Sequence, residues 1–97
     1  MKPGFAMGHP GIVLRDEYLE PKGITQSRFA REIGVSFTRA NELMNGKRGF
    51  TPDTALRVAK YLGTTAEYWM NWQSAHDLQR TEKEHAAEYR KIKLAVS

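Results

Sequence analysis

Apolar positions along this chain recur at helical spacing, with capping residues recurring before the runs and glycine after all but the last. The first run opens at His9-Pro10, with proline at an initial helical position, carries Val13, Leu14 and Tyr18, and stops by Leu19 or Glu20, ahead of Pro21 and Gly23. Thr25 caps a second helix, Gln26 to Ile33, whose Phe29, Ala30 and Ile33 form the inward stripe before Gly34 ends it. Ser36 caps a third, Phe37 to Met44, with Ala40, Leu43 and Met44 inward and Asn45-Gly46 behind. Thr51-Pro52-Asp53 starts a fourth whose expected apolar face is Ala55, Leu56, Ala59 and Leu62, with Gly63 as its stop. A fifth begins near Thr65, passes through Trp69, Trp72 and Leu78, and loses definition toward Ser97. Gly-bounded alternating runs are missing, so the expected class is all-α with a C-terminal helical extension.

The chain has 97 residues, enough for one core and too few for a core plus a deep enclosed cavity. The expected organisation is a flexible N-terminus over residues 1–8, a helical domain over 9–78, and a helical extension or tail over 79–97. The absence of cysteine excludes disulfides, thiolate metal sites and cysteine nucleophiles. The opening residues lack the apolar run of a signal peptide and no stretch reaches membrane-span length, so a cytoplasmic location is expected.

The net charge of +4 is too small to name a partner, but its distribution is informative. Residues 1–24 are neutral, 25–50 carry +3, 51–77 carry −1 and the remainder +2. The basic window coincides with the second and third helices, which are joined only by Gly34 and Val35. Two short helices across a glycine-containing turn have the spacing of a helix-turn-helix, about residues 25–45. Ala30 is small enough for close approach, Gly34 can take a positive φ, and Val35, Ala40 and Leu43 seat the second helix of the pair. The ordinary alternative is an αα-corner without function.

A helix presented in this way fits a major groove, where exposed side chains read base edges and flanking donors hold phosphates. The base-edge candidates are Thr38, Arg39 and Glu42, with Asn41 and Phe37 behind them. Arginine can fork onto guanine, glutamate can accept from cytosine N4, and Phe37 can touch a thymine methyl. Gln26 and Ser27 at the start of the second helix, Ser36, and Asn45, Lys47 and Arg48 after the third are the phosphate candidates. Competing roles are a C-cap for Asn45, solvated charge for Lys47 and Arg48, and pairing with Arg39 for Glu42.

At this level the chain resembles the HigA-type antitoxins of bacterial toxin–antitoxin modules, a branch of the Xre and lambda-repressor-like helix-turn-helix proteins. The resemblance rests on His9-Pro10-Gly11, Gln26-Ser27-Arg28-Phe29-Ala30, Gly34-Val35-Ser36, Asn45-Gly46-Lys47-Arg48-Gly49, Thr51-Pro52-Asp53-Thr54-Ala55-Leu56-Arg57 and Trp69-Met70-Asn71-Trp72-Gln73. It covers about residues 9–78. It implies a five-helix lambda-repressor-like DNA-binding domain, a homodimer that binds a palindromic operator in its own promoter, and a partner toxin of the HigB type that cleaves mRNA. The alternative is an Xre-type, phage-like regulator with no toxin partner; a third reading is a protein-interaction inhibitor with vestigial DNA binding. Ala40 stands where the family usually carries a larger aliphatic, and Phe37 where proline is frequent.

Tyr68, Met70, Trp69 and Trp72 crowd more bulk into five residues than one small core can take, so Tyr68, Trp69 and Trp72 are the candidate dimer seam. His9, His76 and His85 are not at metal spacing, and His9 reads as a helix cap. His76, Asp77 and Arg80 share a helical register, an ordinary surface arrangement. Neither catalysis, a metal nor a cofactor is expected.

Overall fold

The computed structural model describes residues 8–95; the expectation of a flexible N-terminus falls almost wholly on residues outside that range. The described residues form helices without strands. They are α1 (Pro10–Val13), which continues as a π-helical stretch (Leu14–Leu19) and a 3₁₀ turn (Glu20–Lys22), then α2 (Gln26–Ile33), α3 (Phe37–Met44), α4 (Pro52–Leu62) and α5 (Ala66–Tyr89). Four helix starts are closed in the same way. The hydroxyls of Thr25, Ser36, Thr51 and Thr65 accept from the backbone N–H three residues on, at 3.1, 3.1, 3.3 and 3.1 Å.

The first helix departs from regular spacing, and the departure decides which side chains it buries. In an α-helix residues five apart point about 140° away from each other. Here the i→i+5 winding brings Leu14 and Leu19 onto one buried face, while Val13 and Tyr18 stay partly exposed. Its start is as expected: the His9 Nδ1 accepts from the Gly11 N–H at 2.9 Å and Pro10 is buried.

The core joins Leu14, Leu19, Phe29, Ile33, Leu43, Met44, Phe50, Val58 and Trp69. Trp69 is fully buried, stacks on Phe50 with ring centroids 5.1 Å apart, and is met edge-on by Tyr18 and Tyr68. Its indole N–H donates to the Thr64 hydroxyl at 2.8 Å. This corrects the expectation that Trp69 belongs to a dimer seam: a side chain with no exposed surface cannot meet a second chain. The expectation for α4 is corrected too. Its buried face is Thr54, Ala55, Val58 and Ala59, whereas Leu56 is 62% exposed. Leu56 lies about 100° round the helix from Ala55, away from the arc that Val58 and Ala59 share.

The fifth helix continues well beyond Leu78, which is itself exposed, as far as Tyr89, with a local break from helical geometry at His85. Its distal half projects from the core, and the molecule measures 54 × 26 × 23 Å.

Candidate nucleic-acid interface

The turn between α2 and α3 is held from behind. Gly34 takes φ +78°, and its N–H and that of Val35 close α2 on the Ala30 carbonyl at 3.0 Å each. Ala30 and Ala40 are buried, 4% and 1% exposed, so the two helices approach through small side chains. At α3 the core takes Ala40, Leu43 and Met44, and the opposite arc carries Thr38 and Glu42, flanked by Arg39 on one side and Asn41 on the other. Phe37, 52% exposed, stands at the N-terminal end of that surface.

The flanks are fixed by side-chain contacts that helical spacing does not reveal. Asn41 Nδ2 donates to Gln26 Oε1 at 2.9 Å, tying α3 to the first residue of α2 and leaving the Gln26 NH₂ donors uncommitted among the described residues. On the other side Arg39 Nη2 donates to Asp53 Oδ2 at 2.7 Å and to the Thr54 hydroxyl at 2.6 Å. Arg39 was expected to fork onto a base; its guanidinium is directed instead at the start of α4. The cause is the Thr51-Pro52-Asp53 cap, which places a carboxylate and a hydroxyl within its reach. Glu42 is also engaged: its carboxylate takes Arg48 Nη2 at 2.8 Å and Nε at 3.1 Å, and its carbonyl accepts from the N–H groups of Lys47 and Arg48.

Thr38 and Ser27 are exposed, and the Ser36 oxygen is used as the α3 cap. Asn45 serves as the C-terminal cap, donating from Nδ2 to the Asn41 carbonyl at 2.8 Å. Lys47 is exposed and makes no ion pair among the described residues. Of the candidate residues, Thr38, Phe37, Ser27 and Lys47 are exposed, Asn41 and Gln26 are joined to each other, Ser36 and Asn45 are used as the caps of α3, and Arg48 is paired with Glu42.

Two guanidinium groups that sequence reasoning did not single out brace this surface. Arg57 Nη1 donates to the Ile33 carbonyl at 2.9 Å, and Arg15 Nη1 to the Met44 carbonyl at 3.1 Å, each satisfying the last turn of a helix of the pair. Gly11 lies against the same end of α3, where an added Cβ would sit 1.9 Å from the Leu43 carbonyl oxygen. The signals were in the sequence, as a conspicuous His9-Pro10-Gly11 and an arginine four residues after Asp53, but their targets are tertiary.

With this geometry in hand, comparison with known proteins is decisive. The helix-turn-helix family model matches residues 16–69. Antitoxin HigA-1 of Vibrio cholerae is 37% identical over 83 residues, 86% of this chain and 78% of that protein. The chain belongs to the HigA-type helix-turn-helix family. Virulence-associated protein I of Dichelobacter nodosus is 45% identical over 76 residues, 78% of this chain and 70% of that protein. Among solved structures, the Pseudomonas aeruginosa antitoxin HigA with the higBA promoter aligns with a TM-score of 0.88 at 32% identity, covering 93% of this chain and 99% of that one. Antitoxin GraA in complex with its operator aligns at 0.88 and 34%, covering 100% and 99%. The HigA likeness extends through the distal half of α5, beyond the residues the family model matches. The family is one of DNA-binding antitoxins and regulators. Among the described residues no three metal-ligating side chains cluster, and no helix is long and apolar enough to cross a membrane.

Proposed function

We propose that this protein is the antitoxin and autorepressor of a toxin–antitoxin pair: a cytoplasmic homodimer that binds a two-fold operator in its own promoter and neutralises a HigB-type, mRNA-cleaving toxin. The observation that carries the reading is the whole-chain likeness to a HigA solved with its promoter, together with an α3 whose outward arc stands clear of the core. In this reading Thr38, Asn41 and Phe37 face base edges, and Glu42, beside Thr38 on the same arc, is held by Arg48. Gln26, Ser27, Ser36, Asn45 and Lys47 hold phosphates. Tyr68 and Trp72 supply the seam between protomers, beside a groove of about 490 Å³ that they line with Val13, Glu17 and Tyr18. Residues 9–78 form the DNA-reading unit and 79–97 its extension.

The two halves of the function are tested separately. In a gel shift at fixed salt the protein should prefer its own promoter over random DNA by at least about a thousandfold; equal affinity for both would remove the repressor. Co-expression should rescue growth from the product of the adjacent gene and the two should co-purify. Failure of both would leave a regulator without a toxin.

A further inference from the structure

One exposed carboxylate connects all three helices around the recognition surface. Asp53 Oδ2 accepts from Arg39 Nη2 of α3 at 2.7 Å, and both Asp53 oxygens accept from Arg57 Nε, at 3.2 and 3.0 Å. Arg39 Nη2 also reaches the Thr54 hydroxyl, while Arg57 Nη1 ends on the carbonyls of Ile33 and Gly34 at 2.9 and 3.4 Å. The contacts thus run without a gap from the first turn of α3, through the first turn of α4, to the last turn of α2.

We propose that Asp53 is a positioning residue for DNA recognition, setting the pitch at which α3 is presented relative to α2 by acting through Arg39 and Arg57. An isolated surface ion pair would not carry this role, because exposed pairs add little and are screened by salt. Here two guanidinium groups from different contexts converge on one acceptor. Each also holds a second partner, a hydroxyl on α4 for Arg39 and helix-end carbonyls for Arg57, so neither can shift without breaking another hydrogen bond. Arg39 is the less exposed member, at 29% of its side-chain surface, and Gly34 leaves Arg57 room, since a Cβ there would come within 3.1 Å of Nη1. Arg39 and then Arg57 hold the Asp53 carboxyl below the usual aspartate range, in keeping with a carboxylate that stays charged.

The sign of the effect separates positioning from charge. Asp53 is an anion beside a surface that meets a polyanion, so on charge alone Asp53→Asn should tighten binding to every duplex. Positioning requires the opposite for the operator alone. The proposal rests on the DNA-binding reading above. The experiment titrates wild type, Asp53→Asn, Arg39→Gln and the double variant against the promoter operator and a scrambled duplex at equal salt. Asp53→Asn should weaken operator binding about tenfold, comparable to one well-made base contact, while scrambled DNA binds equally or more tightly. The double variant should be no weaker than the weaker single, because both changes break the same contact. Operator affinity unchanged or raised by Asp53→Asn, or losses that multiply in the double variant, would overturn the proposal.

A measurement without DNA decides the matter even if wild type shows no operator preference, an outcome that would sink the DNA-binding reading instead. Hydrogen exchange at the amides of Ala40, Leu43 and Met44 should accelerate about tenfold in Asp53→Asn, and Asp53→Glu should recover part of it, with α5 amides unchanged. Equal protection of α3 in wild type and Asp53→Asn refutes the role of Asp53.

Discussion

Gly11→Ala isolates the approach of α1 to the recognition helix. A Cβ at residue 11 would lie 1.9 Å from the Leu43 carbonyl oxygen, 2.7 Å from its carbon and 3.1 Å from His9 Cε1. The first two are backbone atoms and cannot rotate away, so α1 must retreat from α3 by more than an ångström to reach ordinary contact. Overpacking of this kind costs about 3 kcal/mol at the upper end of its usual range. Alanine returns about 1 kcal/mol of helix propensity, leaving a net loss of about 2 kcal/mol. For a domain of this size that lowers the melting temperature by about 8–16 °C. Gly23→Ala is the matched control: its φ is +67° but nothing lies within 4 Å of an added Cβ, so only backbone strain remains. That strain is worth about 1 kcal/mol. Thermal melts followed by circular dichroism, at one protein concentration because dimer formation would shift the midpoint, give the comparison. A Gly11→Ala midpoint within about 2 °C of wild type, or above that of Gly23→Ala, would refute the argument from close approach.

Four further outcomes follow from single side chains. Gln73 is buried, and its Oε1 accepts the Phe50 N–H at 2.8 Å while its Nε2 donates to Asp77, so Gln73→Leu strands a buried donor and should cost about 1–3 kcal/mol in denaturant unfolding; a smaller loss would mean that water replaces the amide. Burial, and then the charge of His76, hold the His9 imidazole below its ordinary 6.5, with Asp77 opposing and Arg80 reinforcing that shift, so the neutral ring is the folded form. Its contribution is present above pH 6.5 and lost as pH falls through the lowered value, and His9→Asn should flatten stability measured across that acid range. Burial, then the 2.7 Å contact with the Tyr18 hydroxyl, push the Tyr68 phenol up to about 12; that stabilisation is lost as pH rises from 10 through 12, and ultraviolet titration of Tyr68→Phe should lack one late-ionising phenol. Lys47→Ala should weaken operator and random DNA alike and reduce the salt slope by about one; loss confined to the operator would make Lys47 a base contact.

Helix existence was legible because its signals are local. Thr25, Ser36, Thr51 and Thr65 cap the helices they precede in the sequence, and Gly34 and Gly63 end theirs in the left-handed conformation. Three features were not legible. The π-helical winding that lets Leu14 and Leu19 share a face depends on what α1 packs against, and an α-helical period instead pairs Leu14 with Tyr18, four residues on. Leu56 was placed inside by hydrophobicity, but the α4 face is set by the small side chains of Ala55 and Ala59 that admit neighbouring helices. Trp69 and Trp72 looked equivalent as i, i+3 neighbours, yet Trp69 is the buried centre of an aromatic cluster while the Trp72 indole N–H reaches the Gly8 carbonyl at 3.0 Å.

The candidate site shows the same division, with a consequence for how DNA is held. Counting charges between residues 25 and 50 suggests five cations available to phosphates. The fold pairs Arg28 with Glu32, Arg48 with Glu42 and Arg39 with Asp53, which leaves Arg31 and Lys47 without an ion pair among the described residues. Much of the positive window therefore braces helices rather than facing solvent as free charge. Under the proposed DNA-binding reading an interface so neutralised would hold phosphates largely through neutral donors: the Gln26 amide, the Ser27 hydroxyl and the N–H groups at the start of α2. Such donors contribute little counterion release, so each protomer should show a shallow salt dependence while its specificity rests on how accurately α3 is held. That accuracy comes from charged groups committed to partners within the fold, Arg39, Asp53 and Arg57 on one flank and Arg15 at the far end.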